Sequence, residues 1–426
     1  MTENMLSIKL HSPPSVFLPG DHVAGEVRYE PNGKSSTEFR TVVELLGQTN
    51  TKLSNGRNPT TRGHAELIRF IVTTMQGPAT TCPFAFTFPG TTHPVDPSIA
   101  DRGNSTAQMA TLSPTHLLPP TFEFGTSPGR KILGNKGVAE YKLRAVVLST
   151  SDKVLCQEEL PVIFEPRVDP QYSHWHEDRS ANMKTMKLPM RVQTLHLLPE
   201  NQNRQLKYSE RTRAIFQRSK IPYFNFHLAT TLPTKLNLGQ NIPLLVQVDP
   251  EPTSSTAPQV PTFTLNQIST DIVATVTLYG GPTFHQEQVA VVSRKMENLG
   301  DLEPSSNFTK TVIVAPIWTI LPSFDTYNIT YKHSIVVTGE IECAGKKIPI
   351  FNQADLKILP AVRGATPQVP YVPDKRELQE PVPYEELKPS LTRYIGKTFG
   401  STFSLIRHAR TDSEVQQEQK SNDKVG

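Results

Sequence analysis

The feature that most constrains this chain is a signature written twice, some two hundred residues apart. Leu118-Pro119-Pro120-Thr121-Phe122-Glu123 leads into the alternating run Val138–Val147, and Leu321-Pro322-Ser323-Phe324-Asp325 leads into Tyr327–Val337. Each copy has prolines, a small hydroxyl, a phenylalanine and an acid, followed by apolar and polar residues with a period of two. Both copies close alike, with a short turn (Ser149–Lys153 or Cys343–Lys347) and a strand that ends on proline (Leu160–Pro166 or Ala354–Pro360). The front of the module repeats as well. Ser15–Pro31 and Leu236–Pro250 each open on a glycine turn and continue as a half-buried strand, and further strands are expected at 38–47 and 266–280. A pattern that recurs with its turns and spacing intact implies two copies of one β module. Period-two alternation with one polar face implies antiparallel sheets packed over a core. The expected fold is therefore all-β: two tandem antiparallel immunoglobulin-like β-sandwiches.

Length fits this division, since 426 residues exceed one ordinary domain and suffice for two cores. The 38 prolines are well above the usual share of about 5%. They suit turns and strand edges and exclude long helices. A net charge of +4 is small for this length and gives no electrostatic footprint for nucleic acid. Cys82, Cys156 and Cys343 stand singly inside expected strands, as neither a disulfide framework nor a zinc set. We read them as reduced core residues. No apolar run is long enough for a signal peptide or a membrane span, so a cytoplasmic protein is expected.

The string LPGDHVAGEV, the PFAFTFP run at 83–89, the LPPTFEF lead-in and the strand VAEYKLRAVV follow one another in this order. Together they resemble the amino-terminal domain of arrestins, and the second module resembles the arrestin carboxy-terminal domain. The resemblance spans roughly residues 5–361 and is nearest in form to the α-arrestins, the arrestin-related trafficking adaptors. It implies a scaffold that is not an enzyme, uses no cofactor, and links cytosolic segments of membrane proteins to ubiquitin ligases and endocytic machinery at the plasma membrane or endosomes. A retromer-type cargo-sorting scaffold would share the two-sandwich plan without recruiting a ligase.

The expected organisation is an arrestin-like sandwich over 1–168, a basic linker over 169–220, a second sandwich over 221–361 and a disordered, proline-rich tail over 362–426. The linker carries ten Lys or Arg, with Glu177, Asp178, Glu200 and Glu210 among its acids, and part of it, 188–198, alternates like a strand. Segments 50–63, 90–112 and 251–262 are rich in Gly, Pro, Ser, Thr and Asn and are expected as loops.

No nucleophile elbow, phosphate loop or His-Glu-x-x-His helix is present, so no catalytic or metal residue is assigned. His174 and His176 would face one side of an extended chain and are the remote alternative, a metal-dependent enzyme. They lack further ligands, and the segment reads as a polar loop. Ligase recruitment in the resembled family uses Pro-Pro-x-Tyr, read by WW domains in a polyproline geometry. This chain departs from it: Pro381, Pro383 and Tyr384 have one proline shifted, and Pro170 with Tyr172 lack the first. These five residues are the candidate ligase contacts. In the tail, Leu391, Ile395, Phe399, Phe403 and Ile406 fall within an arc of about 120° on a helix, with Arg393, Lys397 and Arg407 on other faces. No acid lies between Glu386 and Asp412. Segment 391–410 is thus a candidate helix for an anionic membrane or for docking on a partner, although Gly396 and Gly400 weaken it. Phosphate sensing in regulated arrestins uses early lysines, and here Lys9, Lys142 and Arg144 are what the chain offers, the last two on one strand face.

Overall fold

Alternation in the sequence becomes strand after strand. In the computed structural model the described residues are 5–31, 38–54, 60–77, 80–92, 116–125, 134–168, 182–202, 204–208, 210, 220–281 and 283–364. In chain order the first half forms β1 (Met5–Leu10), β2 (His22–Glu30), β3 (Phe39–Leu53), β4 (Thr61–Gly77), β5 (Thr81–Thr87), β6 (Phe122–Gly125), β7 (Lys136–Ser149) and β8 (Val154–Val162). The second half forms β9 (Met183–Gln193), β10 (Tyr223–Pro233), β11 (Lys235–Asn237), β12 (Ile242–Glu251), β13 (Phe263–Gly280), β14 (Thr283–Leu302), β15 (Thr309–Val314), β16 (Phe324–Asp325), β17 (Ile329–Cys343) and β18 (Lys346–Leu359). β7 shows how the pattern works. Ala139, Tyr141, Leu143, Ala145 and Val147 are buried on one face, while Glu140, Lys142 and Arg144 reach the other.

The sheets repeat as the sequence does. Order β1-β2-β5 in one sandwich matches β10-β12-β15 in the other, where β9 extends the sheet. Facing them, β4-β3-β7 with β6 and β8 matches β14-β13-β17 with β16 and β18, where β11 is added. Each pair of sheets encloses its own core. Val27, Phe84 and Phe88 meet Leu45, Leu67 and Leu143 in the first, and Phe226, Val246 and Val312 meet Phe263, Ile335 and Leu356 in the second. At about 1.5–3 kcal/mol for each large side chain fully buried, these two clusters supply most of the drive to fold.

The duplication extends to single hydrogen bonds. In the opening turn, Leu18 N–H donates to the Asp21 carboxylate and Asp21 N–H to Leu18 O. In the second module Asn237 N–H donates to the Gln240 side chain and Gln240 N–H to Asn237 O. Gly20 and Gly239 sit between them at φ of +82° and +83°, a conformation costly for any residue with a Cβ. The proline lead-in is clamped the same way twice. Thr121 N–H donates to Phe164 O while Thr121 Oγ1 accepts from Phe164 N–H, both at 2.8 Å. Ser323 N–H donates to Ile358 O at 2.7 Å while Ser323 Oγ accepts from Ile358 N–H at 3.0 Å. The small hydroxyl of the repeated signature is therefore a backbone clamp that fixes where the following phenylalanine lands.

The two sandwiches join through the same end of each module. Register pairs Phe122 with Ala139 and Phe324 with Tyr331, which makes these four residues equivalents. All four meet in one apolar cluster with Leu53, Ala274, Val276, Leu278 and Ile329. Ring centroids lie 5.4 Å apart for Phe122 and Phe324 and 5.5 Å for Phe122 and Tyr331. Phe122 is buried in this shared cluster, with Leu53 and Ala139 from its own module and the rings of Phe324 and Tyr331 from the second sandwich, and not in the core of its own module. Beside the rings the backbones close in. Thr49 donates to Asn328 Oδ1 and Asn328 Nδ2 returns a bond to Thr49 O at 3.2 Å, while Thr51 Oγ1 donates to Tyr279 O. A Cβ on Gly137 would stand 2.4 Å from Leu278, and one on Gly63 2.5 Å from Tyr279 O.

Three sequence expectations change. The strand expected at 188–198 is Met183–Gln193, paired along its length with β10, so the second sandwich takes in part of the expected linker. It ends where Thr194 Oγ1 accepts from His196 N–H and starts a short 3-10 turn. The loop expected at 50–63 is shorter, because β3 runs to Leu53 and β4 starts at Thr61, held straight by the bonds across the seam. Cys82 and Cys343 are core residues as expected, but Cys156 is only half-buried on β8.

Two outcomes follow for the seam. Gly137→Val should cost about 1–3 kcal/mol in urea unfolding through overpacking, whereas Gly125→Val, with open space around its Cα, should cost little. Phe122→Ala and Phe324→Ala, combined in a double-mutant cycle, should show a coupling of about 0.5–1.5 kcal/mol, and additive losses would mean the rings do not act together.

Candidate functional site

All the sequence-level contact residues lie outside the described residues. This holds for Pro170, Tyr172, His174 and His176, for Pro381, Pro383 and Tyr384, and for Leu391, Arg393, Ile395, Lys397, Phe399, Phe403, Ile406 and Arg407. Lys9, Lys142 and Arg144 are placed. Lys9 is exposed on β1, in register with Glu26. Lys142 and Arg144 do share one face of β7, but each is committed to an acid: Lys142 Nζ is 2.7 Å from Glu159, and Arg144 is paired with Glu44. The Glu44 side chain is only 8% exposed, so Arg144 neutralises a carboxylate that the sheet has taken out of water. The basic pair of the sequence is thus half of a balanced charge network, which a single strand read alone cannot reveal.

Two of the described linker cations are likewise engaged. Lys187 reaches Asp249 at 2.6 Å across the outer face of the second sandwich, and the Arg191 guanidinium lies 3.5 Å above the Tyr223 ring. Where the chain leaves the second sandwich it returns to the first. Val168 N–H donates to Ala361 O, Arg363 N–H to Val168 O at 2.8 Å, and the Arg363 guanidinium meets Asp21 at 2.9 Å. This last pair is largely exposed and contributes at most about 1 kcal/mol.

Strand edges are the other resource of this fold. The edge strands β5, β8 and β9 contain Pro83, Pro161 and Pro189, and β1 and β15 have six residues each. Short length and proline are the usual ways to blunt an edge. β4, with 17 residues, and β14, with 20, have neither protection, although two bulges bend the middle of β4. Among the described residues no strand pairs with the outer side of either. These equivalent edges come together at the seam, where the hydroxyls of Thr61 and Thr283 are 2.9 Å apart. Phe284, next to Thr283, is 65% exposed, and Ile71, farther along β4, is 61% exposed. Long strand edges of this kind are the surfaces to which an extended peptide adds, here with one apolar foothold at the junction and one farther along β4. Periodicity could have found the long strands, but not that both edges converge.

Among the described residues no group of three or more His, Cys, Asp or Glu is placed to hold a metal, and no helix is long and apolar enough to cross a membrane. No protein-family model matches the chain, and no curated protein is significantly similar to it.

The charge network gives a graded expectation. Arg144→Ala should cost about 1–3 kcal/mol because Glu44 is left with a lost partner in a dry site, whereas Lys142→Ala should cost under about 1 kcal/mol. Equal losses in chemical denaturation would show that the two pairs are not differently buried.

Proposed function

We propose that this protein is a non-enzymatic adaptor of the arrestin kind, which holds extended cytosolic segments of membrane proteins and brings them to ubiquitination and endocytic machinery. The observation that supports this reading is the composite edge. Two long strands without prolines meet at Thr61 and Thr283, with exposed Phe284 at the meeting point and exposed Ile71 farther along β4. Strand addition at such an edge satisfies backbone donors and acceptors for any sequence, and side-chain footholds then select among peptides. That is the property an adaptor for varied cargo needs. Two sandwiches welded at a dry seam supply the rigid frame on which an edge of this kind keeps its geometry.

In this reading the remaining sequence candidates are recruitment elements. Pro170 with Tyr172, and Pro381, Pro383 and Tyr384, are the contacts for a WW-domain ubiquitin ligase. Segment 391–410, with Arg393, Lys397 and Arg407 beside Phe399 and Phe403, is the contact with an anionic membrane at the plasma membrane or endosomes.

The test is peptide capture by the full chain. Immobilised cytosolic segments of membrane proteins should include binders, and the double variant Ile71→Lys with Phe284→Lys should bind them at least about tenfold more weakly. Both side chains are exposed, so the thermal midpoint should stay within about 2 °C. Undiminished binding by the double variant would place the cargo site elsewhere.

A further inference from the structure

The two modules carry different polar rings at equivalent positions. Tyr141 and His333 each lie two residues beyond the residue that pairs with the lead-in phenylalanine, Ala139 in one module and Tyr331 in the other. Tyr141 is fully buried and satisfied, its hydroxyl donating to Pro119 O at 2.7 Å. His333 is 4% exposed, with Nδ1 at 2.8 Å from Ser323 Oγ and Nε2 buried without a hydrogen-bond partner. Ser323 Oγ accepts from Ile358 N–H and has a further lone pair and its own proton for the contact with Nδ1, so that nitrogen is satisfied in either tautomer. The imidazole ring stands edge-on to Tyr331 at 4.8 Å, and Tyr331 is one wall of the seam against Phe122.

We propose that His333 is an acid-sensitive trigger for the seam between the sandwiches: the imidazolium formed in acid carries an Nε2–H with no acceptor and a charge in a buried site, and this loosens the lead-in that seats Phe324 against Phe122. Among the described residues around the ring, no counter-charge faces the resulting imidazolium. On its own strand the nearest titratable group is the Tyr331 phenol, which burial raises to about 12 and keeps neutral. Lys332 points to the opposite face, toward Asp325 at 4.0 Å. Across the ladders His333 pairs with Leu356 on β18 and Ala274 on β13, and the Asp355 and Lys357 neighbours of Leu356 are exposed on the far side. From the lead-in come Ser323 and Phe324. Burial is the cause of the shift that lowers the His333 pKa from 6.5 to about 4.

The direction follows. A histidine with a depressed folded pKa favours the native state above its unfolded pKa, and that stability is lost as pH falls from about 6.5 toward 4. The folding equilibrium should drop roughly 30-fold at pH 5 and roughly 150-fold at pH 4 from this group. This inference concerns regulation of the seam and does not rest on the adaptor reading.

The experiment is hydrogen exchange on the full chain at pH 7 and pH 4.5, corrected for intrinsic rates, in wild type, His333→Tyr and His333→Gln. His333→Tyr copies the sister module, and His333→Gln keeps a polar group that does not titrate should the tyrosine variant fail to fold. In wild type, protection over 122–124 and 329–331 should fall at least tenfold at pH 4.5, while protection over 143–147 in the first core falls less. The variants should hold their seam protection across the same range. Equal acid loss in wild type and in a folded variant overturns the proposal, and so does a wild-type seam that stays protected.

Discussion

Everything in this molecule depends on how closely two sheet ends can approach. At the seam Gly63 and Gly137 have no side chain to hold the backbones apart, and Ala139 and Ala274 add little. That closeness lets Thr49, Thr51 and Asn328 bond directly to partner backbone and side chain. Such bonds in a dry site matter less for what each adds than for what would follow if one were broken, since a buried donor or acceptor left unpaired costs about 1–3 kcal/mol. The seam therefore tolerates little sliding. It also explains why Phe122 and Phe324, which open the repeated signature, are not core residues of their own modules. They are the equivalent knobs of a pseudo-twofold contact, each positioned by a hydroxyl clamp on its own last strand.

The sandwich plan was legible because its marks are local. Glycine turns, period-two strands and a hydroxyl before phenylalanine recur in the two halves, and each turned out to have the same role in both. The seam was not legible, for a physical reason. A ring buried against a second sandwich and a ring buried in its own core follow the same alternation, so pattern alone does not say which partner hides Phe122. The same limit applies to charge. Lys142 and Arg144 read as a basic face until Glu159, on the next strand, and Glu44, 100 residues from Arg144, are brought alongside. β9 was half seen, because Lys184, Lys187 and Arg191 gave its segment the composition of a linker. Those cations sit on an edge strand facing water, where charge is compatible with a sheet.

Of the residues proposed for recruitment, none falls among those whose placement is described, so the support for function comes from what the fold itself exposes. Here the duplicated plan has a consequence that neither module has alone. In each module the second strand of the longest hairpin, β4 or β14, ends its sheet. Joining two modules by unrelated surfaces would leave these edges apart. Joining them by equivalent ends brings the first residues of both strands together, at Thr61 and Thr283.

That geometry ties the seam to the surface. The strands that carry the outer edges are hydrogen-bonded to β3 and β13, and these same strands supply Thr49, Thr51, Val276 and Leu278 to the seam. A change that loosens the seam must shift the ends of β3 and β13 against each other, and so must separate Thr61 from Thr283. Protonation of His333 acts on that seam from the second sandwich, through Tyr331. The composite edge is then continuous only while the imidazole stays neutral, and an acidic setting would break it at its middle without unfolding either core. A satisfied Tyr141 in one module and an unsatisfied His333 in the other place this sensitivity on one side of the contact.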